Sequence, residues 1–194
     1  MASCTGADKA ALRAAIRARA AALDPAERRR SDQTLTDRFL TLPWTAQAHT
    51  VLLFCGVGTE PDTRPLLEGL WRSGKRVLLP RCLPGRAMEA RLVRSWADLR
   101  PGAYGIPEPG DACPVVEKGA IDLILVPALC YDLSRRRLGQ GGGYYDRYLT
   151  GFGGRTAGLC RACLLQKALP VEDHDRAVDL VLTEERRLEG PSHI

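Results

Sequence analysis

Short apolar runs alternate along this chain with longer stretches in which apolar residues recur at helical spacing. Short runs rich in Val, Leu and Ile, bounded by turn residues, are typical of strands buried on both faces of a parallel sheet. The runs that predict strands are residues 50–55, 75–80, 88–94, 121–127, 156–163 and 177–182. Four stretches predict helices. The first follows Thr5-Gly6-Ala7-Asp8, a segment that resembles a capping box, and the others are Asp24 to Pro43, Thr63–Ser73 and about Gly143–Leu149.

This alternation of strands and helices predicts an α/β fold. We expect one three-layer α/β/α, Rossmann-like domain over residues 1–194, with a mainly parallel sheet covered by helices on both faces. Ligands of such sheets gather at the carboxyl ends of the strands. Glu60, Arg81 and the glycine-rich segment after residue 138 lie just beyond predicted strand ends. Residues 101–114 contain four prolines and three glycines, which predicts an irregular connection.

Composition and charge narrow the classes of function. The chain has 194 residues, 45% of them hydrophobic, which suits one compact domain. The sequence shows neither an apolar run long enough to span a membrane nor a secretory leader, so we expect a cytoplasmic protein with no membrane partner. The formal net charge is +5, and residues 1–40 hold eight Lys/Arg against five acids. Because the few aromatic residues are not interleaved with the basic ones, a small polyanion such as a nucleotide fits better than nucleic acid.

The seven cysteines do not resemble a disulfide framework and are expected to be reduced thiols. Cys160 and Cys163 have C-x-x-C spacing, but no second pair or nearby histidine completes a zinc site. Small buried residues are the simpler interpretation, and a redox or metal role is the alternative.

Lys9, Arg13 and Arg17 fall at i, i+4 and i+8 on the first predicted helix. Like charges at this spacing repel one another by a few tenths of a kcal/mol per pair unless an anion faces them. This basic stripe is therefore either a solvated face or part of an anion-binding site.

The most informative segment is Leu138–Asp146, which follows the apolar run 121–127 and contains four glycines before a short predicted helix. Glycines let backbone N–H groups approach phosphate oxygens, and a helix N-terminus favours an anion at the same place. Asp146 is placed to hold a cation beside that phosphate. A tight turn is the alternative, but it needs fewer glycines. The segment matches neither G-x-G-x-x-G nor the P-loop, which disfavours a dinucleotide fold and a Walker-type NTPase.

With these residues, the chain resembles the 5-formyltetrahydrofolate cyclo-ligase family nearly end to end. The motifs that carry the resemblance are Lys9-x-x-Leu12-Arg13, Glu60-Pro61-Asp62-Thr63, Leu79-Pro80-Arg81, Gly105-Ile106-Pro107-Glu108-Pro109, Arg137-Leu138-Gly139-x-Gly141-Gly142-Gly143-Tyr144-Tyr145-Asp146 and His174-Asp175…Val178-Asp179. The resemblance implies that ATP and Mg²⁺ are used to phosphorylate the formyl oxygen of 5-formyltetrahydrofolate, after which N10 closes the ring to give 5,10-methenyltetrahydrofolate. It also implies a small-molecule partner, and we expect a monomer.

The resemblance assigns roles to residues of this chain. The implied ATP-binding residues are Lys9, Ala10, Ala11, Leu12, Arg13, Arg137, Leu138, Gly139, Gln140, Gly141, Gly142, Gly143, Tyr144 and Tyr145. The implied substrate-binding residues are Cys55, Glu60, Gln140, Gly141, Gly142, Gly143 and Tyr144, with Glu60 accepting hydrogen bonds from the pterin. Asp146 and Asp175 would hold Mg²⁺, and Arg137, Tyr144 and Asp146 would be catalytic.

Four positions depart from the pattern typical of the family. Gln140 stands where many relatives have a basic or aromatic residue, Gly142 where some have lysine, and Cys55 and Tyr104 replace bulkier groups. Two rival functions therefore stay open. One is an enzyme that acts on another N-formyl compound, and the other is a nucleotide-sensing or RNA-binding module without turnover.

Overall fold

An eight-stranded sheet forms the centre of the molecule in the computed structural model, which describes residues 6–102, 105–170 and 175–190. The strands of this described part are β1 (Thr50–Leu52), β2 (Arg76–Leu83), β3 (Ala87–Val93), β4 (Leu99–Pro101), β5 (Pro107–Pro109), β6 (Val115–Val116), β7 (Leu123–Leu125), β8 (Cys130–Tyr131), β9 (Arg137–Leu138), β10 (Arg155–Leu159), β11 (Leu180–Leu182) and β12 (Arg187–Glu189). The order in the large sheet is β12-β11-β10-β7-β1-β2-β3-β6. The strands from β11 to β2 run parallel, and β12, β3 and β6 pair antiparallel at the two edges. The predicted mainly parallel α/β sheet is confirmed.

The helices begin and end where local chemistry favours it. They are α1 (Gly6–Ala21), α2 (Pro25–Leu40), α3 (Pro43–Gln47), α4 (Arg64–Arg72) and α5 (Tyr144–Tyr148). The Asp24 carboxylate caps α2 by accepting hydrogen bonds from the N–H groups of Ala26 and Glu27. The second predicted helix ends at Leu40, earlier than expected, because Pro43 begins α3 instead of closing α2. Proline suits a first helical turn, where its missing N–H would have no helical partner.

Both faces of the sheet are buried under helices. Alternate residues of a strand point to opposite faces, so Val51 packs in one apolar cluster and Leu52 in the other. Ile16 and Ala20 of α1 join the Leu52 cluster, and residues of α2 and α4 join the Val51 cluster. This double burial explains why the strand runs are continuously apolar.

Several strands are shorter than their apolar runs predict. The run 50–55 ends as a strand at Leu52, 121–127 is a strand only over Leu123–Leu125, 156–163 ends at Leu159, and 177–182 begins at Leu180. The remaining apolar residues are buried in the connections at the strand ends, as Phe54 and Val126 are. In contrast, β2 extends past Pro80, because it pairs with β3 as far as Leu83 opposite Ala87. Arg81 therefore lies inside a strand and not beyond its end.

The proline-rich connection 101–114 is more regular than expected. It contributes β5, which pairs antiparallel with β4. The prolines take alternate positions in this ladder, as Pro101 opposite Pro107 illustrates. The N–H of Gly102, the residue after Pro101, donates to the carbonyl of Ile106, the residue before Pro107. The hydrogen bond next to the proline pair is therefore made by non-proline residues, and the missing proline N–H groups cost no hydrogen bond.

A small hairpin of β8 and β9 carries the glycine-rich segment. Asp132, 1% exposed, organises its turn: Oδ1 accepts from the N–H groups of Ser134 and Arg136, and Oδ2 accepts from that of Leu169. Strands of two residues have no periodicity, so the sequence did not predict this hairpin. Among the described helices, none is both long and apolar enough to cross a membrane.

Candidate active site

The segment Gly139–Gly143 connects β9 to α5, and its backbone includes two conformations that favour glycine. Gly141 has φ +98° and Gly143 has φ +70°, in the left-handed region that side chains disfavour. A tight turn explains these two glycines but not Gly139, whose Cβ position is open. The expectation from the helix N-terminus is weaker than the sequence indicates, because α5 has only five residues and a correspondingly small dipole. Anion binding would therefore rest on the N–H groups of the loop.

The basic stripe on α1 faces this loop. Arg13 Nε donates to the carbonyl of Gly139 over 2.9 Å. Lys9 Nζ pairs with Asp175 Oδ2 over 2.7 Å, and these two side chains are only 11% and 17% exposed. The stripe is thus not a solvated face at these two positions. Arg13 thus contacts the glycine loop directly, and Lys9 contacts the second predicted metal ligand.

The three residues between these cations differ in their surroundings. Ala10 and Ala11 are exposed on α1, whereas Leu12 packs against the apolar cluster beneath the helix. Leu12 therefore anchors the helix that presents Lys9 and Arg13.

The third cation of the stripe begins a chain of polar contacts. Arg17 Nη2 donates to Gln140 Oε1 over 2.6 Å, and Gln140 Nε2 donates to Glu60 Oε1 over 3.0 Å. The second Glu60 oxygen accepts from the N–H of Val57 over 3.2 Å. Gln140 thereby joins the glycine loop to the loop that follows β1.

Arg137 links the two segments that carry the predicted metal ligands. Its Nη2 pairs with Asp146 Oδ1, and its Nη1 donates over 3.0 Å to the carbonyl of Arg176, the neighbour of Asp175. Arg137 is only 6% exposed, whereas Asp146 is 36% exposed. The sequence-predicted carboxylates therefore lie on segments that one guanidinium links, and each carboxylate is paired with a cation.

These carboxylates suit a magnesium ion that also binds phosphate. Within the described residues, no group of three or more His, Cys, Asp or Glu side chains is placed to hold a metal. Mg²⁺ commonly takes one or two carboxylates and completes its shell with water and substrate phosphates. Asp146 and Asp175 fit that pattern.

Glu60 lies in a desolvated position. Burial raises the pKa of its carboxyl group, while the hydrogen bonds from Gln140 and from the Val57 N–H act in the opposite direction. A partly desolvated carboxylate gains most from a ligand that offers N–H donors, because few water molecules compete there. This position supports the role expected for Glu60.

Two cysteine thiols close to motif residues have raised pKa values. Cys55 is 9% exposed, and burial, together with the charge of Asp62, raises the pKa of its thiol to about 11. Burial also raises the pKa of Cys82 to about 11, and this thiol hydrogen-bonds with Glu108 and Tyr144. The sequence indicated no role for Cys82. Its contacts bring the Glu108 motif against Tyr144 of the glycine-rich motif.

Tyr145 has a buried hydroxyl group that finds no hydrogen-bond partner among the described residues. Burial raises the pKa of this phenol, and the charge of Glu60 adds to the rise. A buried hydroxyl without a hydrogen-bond partner costs free energy.

The C-x-x-C segment does not resemble a reactive pair. Cys160 is 3% exposed, and burial raises the pKa of its thiol to about 12. Cys163 lies beyond the run of small residues that ends at Cys160 and is exposed, and partial burial of its thiol still raises its pKa. Low-pKa thiols are the reactive ones, so the simpler interpretation is favoured. Between them, Arg161 is buried, which the sequence did not indicate.

A surface cavity of about 480 Å³ lies away from the glycine loop. Arg81 and Glu108 line it, but no residue of the glycine loop does. Arg81 pairs with the exposed Asp111 over 2.6 Å. The motif residues Thr5, Tyr104 and His174 lie outside the described residues.

Comparisons with known proteins agree with the resemblance. The model of the 5-formyltetrahydrofolate cyclo-ligase family matches residues 5–184. The 5-formyltetrahydrofolate cyclo-ligase of Escherichia coli K12 is 35% identical over 174 residues, covering 87% of this chain and 96% of that protein. The cyclo-ligase of Mycolicibacterium smegmatis is 38% identical over 145 residues, covering 71% and 74%.

Solved structures match the fold over nearly its whole length. The 5,10-methenyltetrahydrofolate synthetase of Aquifex aeolicus superimposes with a TM-score of 0.85 at 32% identity, covering 95% of each chain. The synthetase of Mycoplasma pneumoniae gives a TM-score of 0.75 at 22% identity, covering 92% of this chain and 99% of that one, and supports the fold.

Proposed function

The chain belongs to the 5-formyltetrahydrofolate cyclo-ligase family, and from this premise we propose that it converts 5-formyltetrahydrofolate and ATP into 5,10-methenyltetrahydrofolate, ADP and phosphate, with Mg²⁺. The observation that carries the proposal is the contact between the glycine loop and a desolvated carboxylate: Gln140 of this loop donates to Glu60 over 3.0 Å. Both substrates of a cyclo-ligase would meet at that contact.

The ATP phosphates fit the glycine loop and α1. A Cβ on Gly141 would lie 3.5 Å from the Arg13 guanidinium, so the bare backbone keeps space beneath that cation. The loop itself contains no cation, since Gln140 and Gly142 are neutral. Charge neutralisation would fall to Lys9 and Arg13 from above and to Arg137 at the loop entrance.

Asp146 and Asp175 would hold the magnesium ion. Their oxygens suit a hard cation, and the ion would neutralise phosphate charge when bound. Lys9 and Arg137, which pair with these carboxylates, would be released to the phosphates. The two cations and the two carboxylates would thus each have a partner of opposite charge both before and after ATP and Mg²⁺ bind.

The folate would lie against Glu60, Tyr144 and Cys55. Glu60 would accept from the amino and ring N–H groups of the reduced pterin. Tyr144 would flank the reacting centre, and Cys55 would provide an uncharged wall, as its raised thiol pKa of about 11 supports. The unpartnered hydroxyl of Tyr145 offers one further hydrogen bond to a ligand.

The chemistry asks mainly for positioning. The formyl oxygen would take the phosphoryl group of ATP, N10 would attack the activated carbon, and phosphate would leave as the ring closes. Phosphoryl transfer of this kind depends on alignment and charge stabilisation and needs no protein nucleophile. Arg137 would stabilise the charge that develops on the transferred group.

The same geometry counts against the RNA-binding alternative. Lys9 is only 11% exposed and bonds within the chain, so it does not offer the accessible cation that a nucleic-acid surface needs. The monomeric state and the cytoplasmic location expected from the sequence are part of the proposal.

The test is substrate profiling of the purified chain with ATP and Mg²⁺. We expect 5-formyltetrahydrofolate to be preferred and its methenyl chromophore to appear together with ADP. A preference for another N-formyl compound would contradict the proposed substrate. An absence of ADP release with every formyl compound would contradict the proposed reaction.

A further inference from the structure

Arg161 lies directly behind the loop that presents Glu60. It follows β10 and is 2% exposed, although its guanidinium is charged. Its Nη1 donates to the carbonyl of Thr59 over 3.1 Å, and its Nη2 pairs with Asp32 of α2 over 2.5 Å. One buried cation thus joins three separate parts of the chain. Thr59 immediately precedes Glu60.

The same loop is held at neighbouring points. Arg28 of α2 donates to the carbonyl of Gly58 over 2.5 Å, and the N–H of Gly56 donates to Thr63 Oγ1 over 3.0 Å. The N–H of Glu60 donates to the carbonyl of Val57 over 3.1 Å. Of these contacts, the one from Arg161 is made by a nearly fully buried charge.

Stability alone does not account for this buried charge. The Nε of Arg161 is buried and has no hydrogen-bond partner among the described residues. Burial raises the pKa of Asp32 despite the opposing charge of Arg161, so desolvation outweighs the attraction at that carboxylate. Well-packed apolar residues often replace such pairs with no loss of stability. The guanidinium therefore needs a role that an apolar side chain would not fill.

We propose that Arg161 is a positioning residue for substrate binding: held by Asp32, it fixes the peptide at Thr59 and so orients the Glu60 carboxylate toward the pterin. The inference rests on the proposed function of Glu60. It assigns the functional residue of the C-x-x-C segment to its arginine and not to its thiols.

The first test compares Arg161→Met with Lys75→Met. Lys75 is the control, because it too is a cation that holds backbone through a carbonyl oxygen: its Nζ donates to the carbonyls of Ala46 and Ala48 at 3.0 and 2.7 Å, at the amino end of β2. We expect Arg161→Met to raise the KM for 5-formyltetrahydrofolate about 10-fold, with the KM for ATP within about 2-fold of wild type. Lys75→Met should change neither constant. Arg161→Lys, which keeps the charge, should restore part of the folate affinity and serves if the methionine variant does not fold.

The second test is amide hydrogen exchange in the ligand-free protein, which does not depend on turnover. We expect Arg161→Met and Asp32→Asn to accelerate exchange at the Glu60 N–H, while Lys75→Met leaves it unchanged. If the wild-type protein binds no folate, the proposed function fails. The exchange rate at the Glu60 N–H still tests whether Arg161 positions this residue. A lower melting temperature with unchanged folate KM and unchanged Glu60 exchange would overturn the inference, as would equal losses for ATP and folate.

Discussion

The side-chain amide of Gln140 donates to Glu60 over 3.0 Å while its oxygen accepts from Arg17 over 2.6 Å. This orientation of the amide connects the cationic face of α1 with the carboxylate expected to bind the pterin. The two ligand sites of the proposed enzyme are therefore in direct contact through one neutral side chain.

The basic stripe provides the first prediction. Arg13→Ala should raise the KM for ATP about 10- to 150-fold, with little change in the KM for folate. This rise corresponds to the loss of about 1.5–3 kcal/mol of charge-assisted hydrogen bonding. Arg17→Ala is the matched control. Arg17 is exposed, and exposed polar contacts contribute little, so we expect less than about a 5-fold effect. Steady-state kinetics with each substrate varied will decide. Equal losses in both variants would favour a general basic surface and the nucleic-acid alternative.

The second prediction concerns Asp146. Asp146→Asn should lower turnover by about 10²-fold or more through weakened metal binding. The sequence alone predicts no effect on the fold, but weakening the bond to the nearly buried Arg137 side chain should lower the unfolding free energy by about 1–3 kcal/mol. Asp175→Asn should weaken turnover in the same way.

The control for these variants is Glu189→Gln, which removes an exposed ion pair with Arg187. Turnover measured against Mg²⁺ concentration and thermal melting will separate the two effects. Wild-type turnover of Asp146→Asn at every Mg²⁺ concentration would contradict the metal assignment.

The third prediction concerns Gly141, where φ is +98°. Gly141→Val should abolish ATP binding and leave folate binding nearly intact, because a branched side chain strains the loop and fills the space under Arg13. Gly85→Val is the control, since Gly85 has φ +72° in open space between β2 and β3. It should lower stability by about 1–2 kcal/mol without affecting ATP binding. Calorimetric titration with each ligand is the measurement, and an equal loss of both ligands in Gly141→Val would indicate a structural turn.

The fourth prediction is a pH dependence that originates at Glu60. Burial raises the pKa of this group, and the ionised form accepts hydrogen bonds from the pterin, so the KM for folate should rise as pH falls through that raised pKa. In the free protein the sign is opposite. Glu60 contributes its full stabilisation of the folded protein below the pKa of an unfolded glutamate, about 4.3. This contribution is lost as pH rises through the raised pKa that Glu60 has in the folded protein.

Glu60→Gln tests both signs. It should remove this pH dependence of the folate KM and leave the melting temperature at pH 7 equal to or above that of wild type. Exposed Glu185→Gln is the control and should change neither property. A clear loss of stability in Glu60→Gln would contradict the desolvated environment of this carboxylate.

Local sequence was enough to predict the features that depend on local chemistry. The doubly buried strands β1, β2, β7 and β10 follow from continuous apolar runs, and the cap at Asp24 follows from its own side chain. The β8–β9 hairpin was missed because strands of two residues lack a period. Arg161 was missed for another reason: Thr59 is 102 positions away in the sequence, and only the sheet order brings the two residues together.

The most direct measurement of the central claim is a single-turnover reaction with 5-formyltetrahydrofolate that carries ¹⁸O in the formyl group. If the formyl oxygen is phosphorylated before N10 closes the ring, the label should leave in inorganic phosphate, with one methenyl product formed for each ADP. Recovery of the label in water, or ADP release without methenyl product, would contradict the account.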